Sequence, residues 1–270
     1  MQPGKLQKER DMEWDKQEVA ELAVEAGRVL LENGAEIYRV EETMDRICKY
    51  YGVESVHNFV LSNGVFVTLG DSKEPVYARV EHVPVGHTYL GKMAMINQLS
   101  REIEAGRYTV KEAEEEVKRI RVMPEKRKFF QVLASGIGSA AFCCLFGGDY
   151  MDALVALAAG ILLYLYVLNV SEKYLSKIVG IIGGGALVTA FCMLVCRFDP
   201  MRHLNFMIIG SIMPLVPGVS FVNAIKDIAN GDYIAGSVRM LDALLIFFSI
   251  AIGVGLSYSL LARMLGEVLL

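Results

Sequence analysis

Five long apolar windows in the second half of the chain constrain its fold more than any other feature. Each window contains no Asp, Glu, Lys or Arg, and each approaches or exceeds the roughly 20 residues that a helix needs to cross the hydrocarbon core of a bilayer. The windows are residues 129–148, 153–171, 178–196, 204–225 and 243–262. Lipid offers no partner to backbone polar groups, so each window is expected to be helical. Five windows in series predict an all-α bundle of five transmembrane helices.

The distribution of charge divides the chain near Lys128. Hydrophobic residues make up 53% of the sequence and the mean hydropathy is +0.37. Only 15 of the 58 charged residues follow Lys128. The predicted organisation is a flexible tail over residues 1–16, a domain over 17–122 and a membrane domain over 123–270. Acids and bases alternate in the tail, which is therefore not expected to be a secretory signal peptide.

Net charge and cysteine placement exclude some classes of protein. A formal charge of -4 and a pI near 5.7 leave no basic surplus, which argues against a nucleic-acid binder. Four of the five cysteines lie in apolar runs, where they are expected to pack as small apolar residues. A disulfide framework is not expected.

The first half of the chain shows the patterns of an α+β domain with a small antiparallel sheet. Apolar residues at helical spacing predict helices over 17–33 and 37–51, with Gly34 between them. β-Branched and aromatic runs predict strands over 53–61, 65–69 and 76–83, the first two joined by a turn at residues 62–64. Further helices are predicted over 89–104 and 110–121, the second opened by a capping box of Thr109 and Glu112.

Lys and Arg near the ends of the apolar windows predict the orientation. One side carries the residues Lys118, Arg119, Arg121, Lys126, Arg127, Lys128, Lys173, Lys177, Lys226 and Arg239. The other side carries only Arg197, Arg202 and Arg263. Because cytoplasmic loops are enriched in Lys and Arg, the N-terminal domain is expected in the cytoplasm and the C-terminus outside. The expected location is the cell (inner) membrane, as a multi-pass protein.

The fourth window contains a break. Pro214, Pro217 and Gly218 fall within one turn, where proline removes backbone donors and weakens the helix. Transporters use such breaks to direct the partial positive charge of a half-helix N-terminus at an anionic substrate. A simple proline kink is the alternative interpretation.

Polar residues follow the break and are candidates for a substrate or ion path. Asn223 and Asp227 are four residues apart, so they share a face of a continuing helix. Ionisable groups at membrane depth mark paths, so Asp227 and Asp242 could relay protons and Arg239 could pair with a substrate carboxylate. The alternative is a cytoplasmic connection in which Arg239 pairs with Asp242 and Asp227 meets water.

The N-terminal half offers little chemistry. His82 and His87 could supply metal ligands only if their loop folds back, and neither a metal nor a cofactor is expected. The common enzyme motifs are missing, so the chain is not expected to be an enzyme.

Two stretches resemble the signature regions of the threonine/serine exporter family. They are NGAEIYRVEETMDRI at residues 33–47 and LVPGVSFVNAIKDIANGDYIAGSVRMLDALL at residues 215–245. The family occurs in a fused form and in a split form whose second membrane region is a separate small protein. The chain resembles the larger subunit of a split exporter, which implies that such a partner supplies the second half.

The resemblance also implies a substrate class. The family exports threonine and serine or, in some split members, a dicarboxylate such as succinate, driven by the membrane potential or proton gradient. Glu36, Arg39 and Glu41 match the first signature and could gate a cytoplasmic entrance or only stabilise the second helix. A homo-oligomer is compatible with this interpretation. The rival is a membrane-anchored protein whose cytoplasmic domain senses a ligand or performs hydrolysis.

Overall fold

A computed structural model describes residues 15–53, 56–70, 77–84, 88–124 and 127–264. The chain forms two compact units, and neither is a single stretch of sequence. The first unit comprises residues up to 124 together with 219–240, and the second comprises 125–218 together with 241–270.

Four helices of the first unit agree with the sequence prediction to within about one residue at each end. They are α1 (Lys16–Glu32), α2 (Ile37–Tyr50), α3 (Leu90–Glu104) and α4 (Val110–Val122). Asp15 accepts a hydrogen bond from the backbone N–H of Gln17 and so begins α1. The predicted capping box of Thr109 and Glu112 is present at the start of α4. Local sequence signals therefore determine where α1 and α4 begin.

The sheet of the first unit has three antiparallel strands in the order β1-β2-β3. The strands are β1 (Val56–Leu61), β2 (Gly64–Leu69) and β3 (Tyr77–His82). Leu61 pairs with Gly64, so residues 62 and 63 alone form the turn between β1 and β2, and Gly64, predicted as part of the turn, begins β2. Alternate residues of β2, Val65, Val67 and Leu69, are buried in the core against α1. Residues 54–55, 76 and 85–87, which include parts of two predicted strands and His87, lie outside the described part of the chain; His82 is exposed at the end of β3.

Helices α1 and α2 pack closely because a glycine lies where they meet. A Cβ atom at Gly27 would lie 2.5 Å from Sδ of Met44. Leu22, Leu30 and Met44 are fully buried, and the sheet, α3 and α4 contribute further buried aliphatic residues to the same core. The first unit thus has a continuous hydrophobic core of its own.

Apolar helices form the second unit. They are α5 (Lys128–Leu145), α6 (Tyr150–Tyr166), α7 (Lys177–Phe198) and α8 (Leu204–Ile212). Helix α6 continues through a π-helical segment, Val167–Ser171, and a last turn, Glu172–Tyr174. These bounds agree with the first three predicted windows to within a few residues.

The fourth window is bent at its prolines. Helix α8 passes into a 3-10 turn, Met213–Leu215, and α9 (Gly218–Ala229) continues at an angle of 64°. The N–H of Val216 donates to the Met213 carbonyl. This hydrogen bond satisfies the carbonyl oxygen that residue 217 would bind in a regular helix, because Pro217 has no N–H to donate. Residues 219–229 belong to the first unit, so the window does not form one straight helix.

Helix α10 (Tyr233–Met264) has 32 residues and contains the fifth window. Its residues up to Met240 belong to the first unit and the rest to the second. Among the described residues, four helices are long and apolar enough to cross a membrane, or five if the bent pair α8–α9 counts as one span.

The second unit exposes apolar side chains and buries small ones. Only 22–39% of the most apolar window of each candidate span is buried, and large hydrophobic residues such as Leu133, Phe248 and Leu256 are exposed. A surface made largely of exposed hydrophobic side chains is unstable in water and suits a lipid environment. Inside the bundle, Gly160 and Gly210 permit close approach of α6 and α8 to α5.

Replacing Gly210 by Ala tests this packing. A Cβ atom there would lie 2.7 Å from the Cys143 backbone nitrogen and from the Ser139 carbonyl oxygen, which a side-chain rotation cannot relieve. We expect G210A to lose about 1–3 kcal/mol of stability and to unfold at a lower temperature in detergent. The control is G138A, because a Cβ at Gly138 meets no atom within 4 Å. Equal unfolding temperatures for both variants would contradict the packing.

Candidate functional site

An ion pair with a fully buried carboxylate lies in the first unit, between α9 and the beginning of α10. The carboxylate of Asp227 accepts a hydrogen bond from Nη1 of Arg239 at 2.9 Å, and the Asp227 side chain has no exposed area. The same carboxylate accepts from the backbone N–H of Ile37 at 3.1 Å. Asp227 therefore has two partners that stabilise its charge away from water.

The contact with Ile37 explains how α2 begins. Ile37 is the first residue of α2, and the preceding Glu36 makes no side-chain capping bond. The first N–H groups of a helix lack partners within the helix and carry partial positive charge. Asp227, distant in sequence, supplies the carboxylate that a capping residue normally provides.

Three side chains from the same region bind the loop between α1 and α2. Nη2 of Arg239 donates to the Ala35 carbonyl at 2.7 Å, and Nδ2 of Asn223 donates to the Gly34 carbonyl at 2.9 Å. Nζ of Lys226 lies 2.8 Å from the Glu36 carboxylate. We call Asn223, Lys226, Asp227 and Arg239, with the loop residues they bind, the loop clamp. It joins the two stretches that resemble family signatures.

The loop clamp assembles some of the predicted site residues and leaves others apart. Asn223, Asp227 and Arg239 come together with Glu36, whereas Asp242 binds Lys177 in the second unit at 2.7 Å. The alternative in which Arg239 pairs with Asp242 and Asp227 meets water is therefore wrong. A role for these residues in a substrate or ion path stays a prediction.

The predicted gate residues other than Glu36 make few polar contacts. Arg39 is exposed and approaches Glu36 only to 3.9 Å. Glu41 accepts from the backbone N–H of Val60 at 3.2 Å. Burial raises the pKa of Glu41 above its usual value, and the nearby Asp232 and Asp45 add to the effect.

A groove of about 380 Å³ lies beside the helix break in the second unit. Met213 and Pro214 of the 3-10 turn form one side of this groove. Gln131 and Ser135 of α5 and Tyr164 of α6 contribute polar groups, and the Tyr164 hydroxyl donates to Oε1 of Gln131 at 3.3 Å. We call it the break groove, since it places polar side chains beside the break.

A polar cluster connects the α5–α6 loop with the α7–α8 loop. Asp152 is fully buried, lies 2.8 Å from Nδ1 of His203 and accepts from the His203 backbone N–H. Asp149 caps α6, and Nη1 of Arg202 lies 2.9 Å from its carboxylate. The backbone N–H of Asp152 lowers the pKa of Asp149 against the effect of burial, and Arg202 lowers it further.

This cluster has the ligand types of a metal site but already contains a cation. The ligand atoms of Asp149, Asp152 and His203 lie within 4.8 Å of one another. The Arg202 guanidinium binds Asp149 and lies 3.6 Å from Asp152, so a metal ion would have to displace it. The arrangement fits a structural ion network better than a metal centre.

The sequence analysis missed the break groove and this polar cluster. A signal existed for Gln131, a polar side chain inside the first apolar window. Asp152 lies just outside the second window, and its partner His203 is 51 residues away. No local spacing rule relates them.

Comparison with known proteins identifies the family. The ThrE family model, described as "Putative threonine/serine exporter", matches residues 21–261. The chain belongs to the threonine/serine exporter family. Its function is therefore that of a membrane exporter, which agrees with the several apolar helices that can span a membrane. No solved structure matches the chain.

Three relatives cover most of this family member. It is 24% identical to a protein of Klebsiella aerogenes named "Probable succinate transporter subunit YjjP", over 90% of the chain and 95% of that protein. The protein of the same name in Escherichia coli K12 is 22% identical over 87% of the chain and 92% of its own length. The Corynebacterium glutamicum "Threonine/serine exporter" is 25% identical over 90% of the chain, which spans only 51% of that exporter.

Replacing Asp227 tests the loop clamp. D227A leaves the mostly buried Arg239 guanidinium without its paired carboxylate and the Ile37 N–H without an acceptor. We expect it to cost about 3–5 kcal/mol, measured as a lower unfolding temperature in detergent. D242A is the matched control, because its pair with Lys177 is 43–54% exposed and should be worth less than about 1 kcal/mol. Similar losses in both variants would refute the clamp.

Proposed function

We propose that the chain is the larger subunit of a split exporter that moves a small carboxylate-bearing metabolite out of the cell. Threonine or serine, or a dicarboxylate such as succinate, is the proposed substrate. The names of the relatives support this class, since one is a threonine/serine exporter and two are succinate transporter subunits. A separate small membrane protein is the proposed partner, supported by the chain's match to only half of the longer exporter.

The observation that carries the proposal is the break groove. An apolar bundle has no structural need for a proline-broken helix beside a tyrosine and a glutamine, because polar groups at membrane depth are costly. Transporters use broken helices to place hydrogen-bonding groups near the bilayer midplane. In the proposed mechanism, Gln131, Ser135 and Tyr164 bind the substrate while it passes the break at Pro214 and Pro217.

A carboxylate suits the helix that follows the break. Helix α9 begins at Gly218, and a helix N-terminus carries a partial positive charge. Arg239 is a weaker candidate for substrate binding, since its guanidinium already binds Asp227 and the Ala35 carbonyl. We propose that the loop clamp positions α9, while the start of α9 contributes to the path.

We further propose that the proton gradient drives export, with the first unit in the cytoplasm and the protein in the inner membrane. The Lys and Arg distribution supports the orientation. Asp152 and His203 are the proposed proton-binding groups of the second unit, because the carboxylate is fully buried and lies 2.8 Å from Nδ1 of the imidazole.

Replacing Tyr164 tests the break groove. Y164F removes one hydroxyl and its hydrogen bond to Gln131, and we expect the export rate to fall about threefold to tenfold, the value of roughly one hydrogen bond. Export is measured as loss of preloaded labelled threonine or succinate from cells that express the chain with its partner. The control is Y174F, which removes a hydroxyl from an exposed tyrosine outside the groove. Unchanged export in Y164F at equal protein level would exclude Tyr164 from the path.

A further inference from the structure

A second groove lies in the first unit, along the exposed face of α2. Its volume is about 650 Å³, and Tyr38, Glu41, Asp45 and Lys49 follow one another along it. Residues three or four apart share a face of a helix, so these side chains form one row. We call this feature the α2 groove. The loop clamp and the break groove involve other residues.

The α2 groove contains charges that the protein does not neutralise. Arg46 binds Glu42 at 2.7 Å and approaches Glu104 at 3.6 Å, so these lining residues compensate one another. Within the described part of the chain, neither Glu41 nor Asp45 pairs with a basic side chain, and Lys49 pairs with no acid. Glu41 and Asp45 are like charges at i and i+4, an arrangement that weakens a helix. A positively charged ligand would reduce the repulsion between these two carboxylates and would therefore bind favourably.

Neighbouring groups hold the two carboxylates in place without neutralising them. Nδ2 of Asn58 donates to Asp45 at 2.7 Å, and the Val60 backbone N–H donates to Glu41. Two carboxylates held by neighbouring donors therefore line the groove.

The pattern of charges defines the ligand. Two carboxylates favour a group with positive charge and several donors, and Tyr38, 56% exposed, offers an aromatic face to the same cation. Lys49, one turn beyond Asp45, offers a positive charge to an anionic group. A dianion such as a dicarboxylate would be repelled by Glu41 and Asp45.

We propose that the α2 groove binds a small zwitterion of the α-amino acid class, its ammonium group between Glu41 and Asp45 and its carboxylate at Lys49. The groove is then a ligand site of the soluble part of the exporter, separate from the membrane path. The choice of threonine as a probe rests on the proposed function, but the groove itself does not.

Equilibrium binding of labelled L-threonine to the full-length chain in detergent tests the proposal. We expect D45N and E41Q each to weaken binding at least tenfold, and E114Q, on the exposed face of α4, to bind like the unchanged protein. E41Q should also unfold at a higher temperature at pH 7.5, because burial and the nearby acids disfavour the charge that it removes. If Glu41 only stabilised the fold, E41Q would unfold at a lower temperature than the unchanged protein.

Lys49 provides a sharper comparison. K49Q should weaken the binding of L-threonine but not that of L-threonine methyl ester, which lacks the carboxylate. Failure of L-threonine to bind the unchanged chain, or equal binding by the chain and its D45N and E41Q variants, would overturn the proposal. So would binding of labelled succinate that these variants abolish. Export in the cell assay is a separate measurement, so loss of the groove proposal leaves the exporter proposal standing.

Discussion

Burial of the Asp227 carboxylate is the constraint on which the rest of the first unit depends. A carboxylate taken fully out of water loses several kcal/mol of hydration, which only close partners can offset. Arg239 provides one partner, and the N-terminus of α2 provides the other. Arg239 must itself be compensated, and it donates to the carbonyl of Ala35. Residues 219–240 therefore belong to the N-terminal fold although more than 90 residues separate them from it in sequence.

The helices of the second unit pack through different interactions, because the outer surface of this unit is apolar. Hydrophobic burial cannot distinguish one helix from another in lipid, so small residues and hydrogen bonds select the contacts. Gly210 approaches the backbone of α5, and the hydroxyl of Ser135 donates to the Gly160 carbonyl at 2.9 Å. The open groove at Pro214 is an exception to this tight packing, and in the proposed function it forms part of the substrate path.

The parts of the fold that local sequence determines could be predicted. Asp15 and Thr109 begin helices through their own side chains, the turn after Leu61 joins two strands, and the prolines break the fourth window. The long-range pairs could not be predicted. Arg239 pairs with Asp227 rather than with Asp242, which is nearer in sequence. This pairing depends on the position of α2, whose first residue also binds Asp227 and lies about 190 residues earlier in the chain. Periodicity places Asp227 on a helix face but does not identify what that face contacts.

The charged groups that stabilise this protein have partners of opposite charge, whereas the candidates for ligand binding do not. Asp227 and Arg239 satisfy each other, and Asp152 has His203 and Arg202 beside it. Such groups stabilise the fold, and a ligand gains little from them because it must first displace a partner. Glu41 is half-buried and pairs with no basic side chain in the described part of the chain. In the proposal above, a ligand supplies the missing positive charge, so the α2 groove, more than the loop clamp, is the candidate for binding.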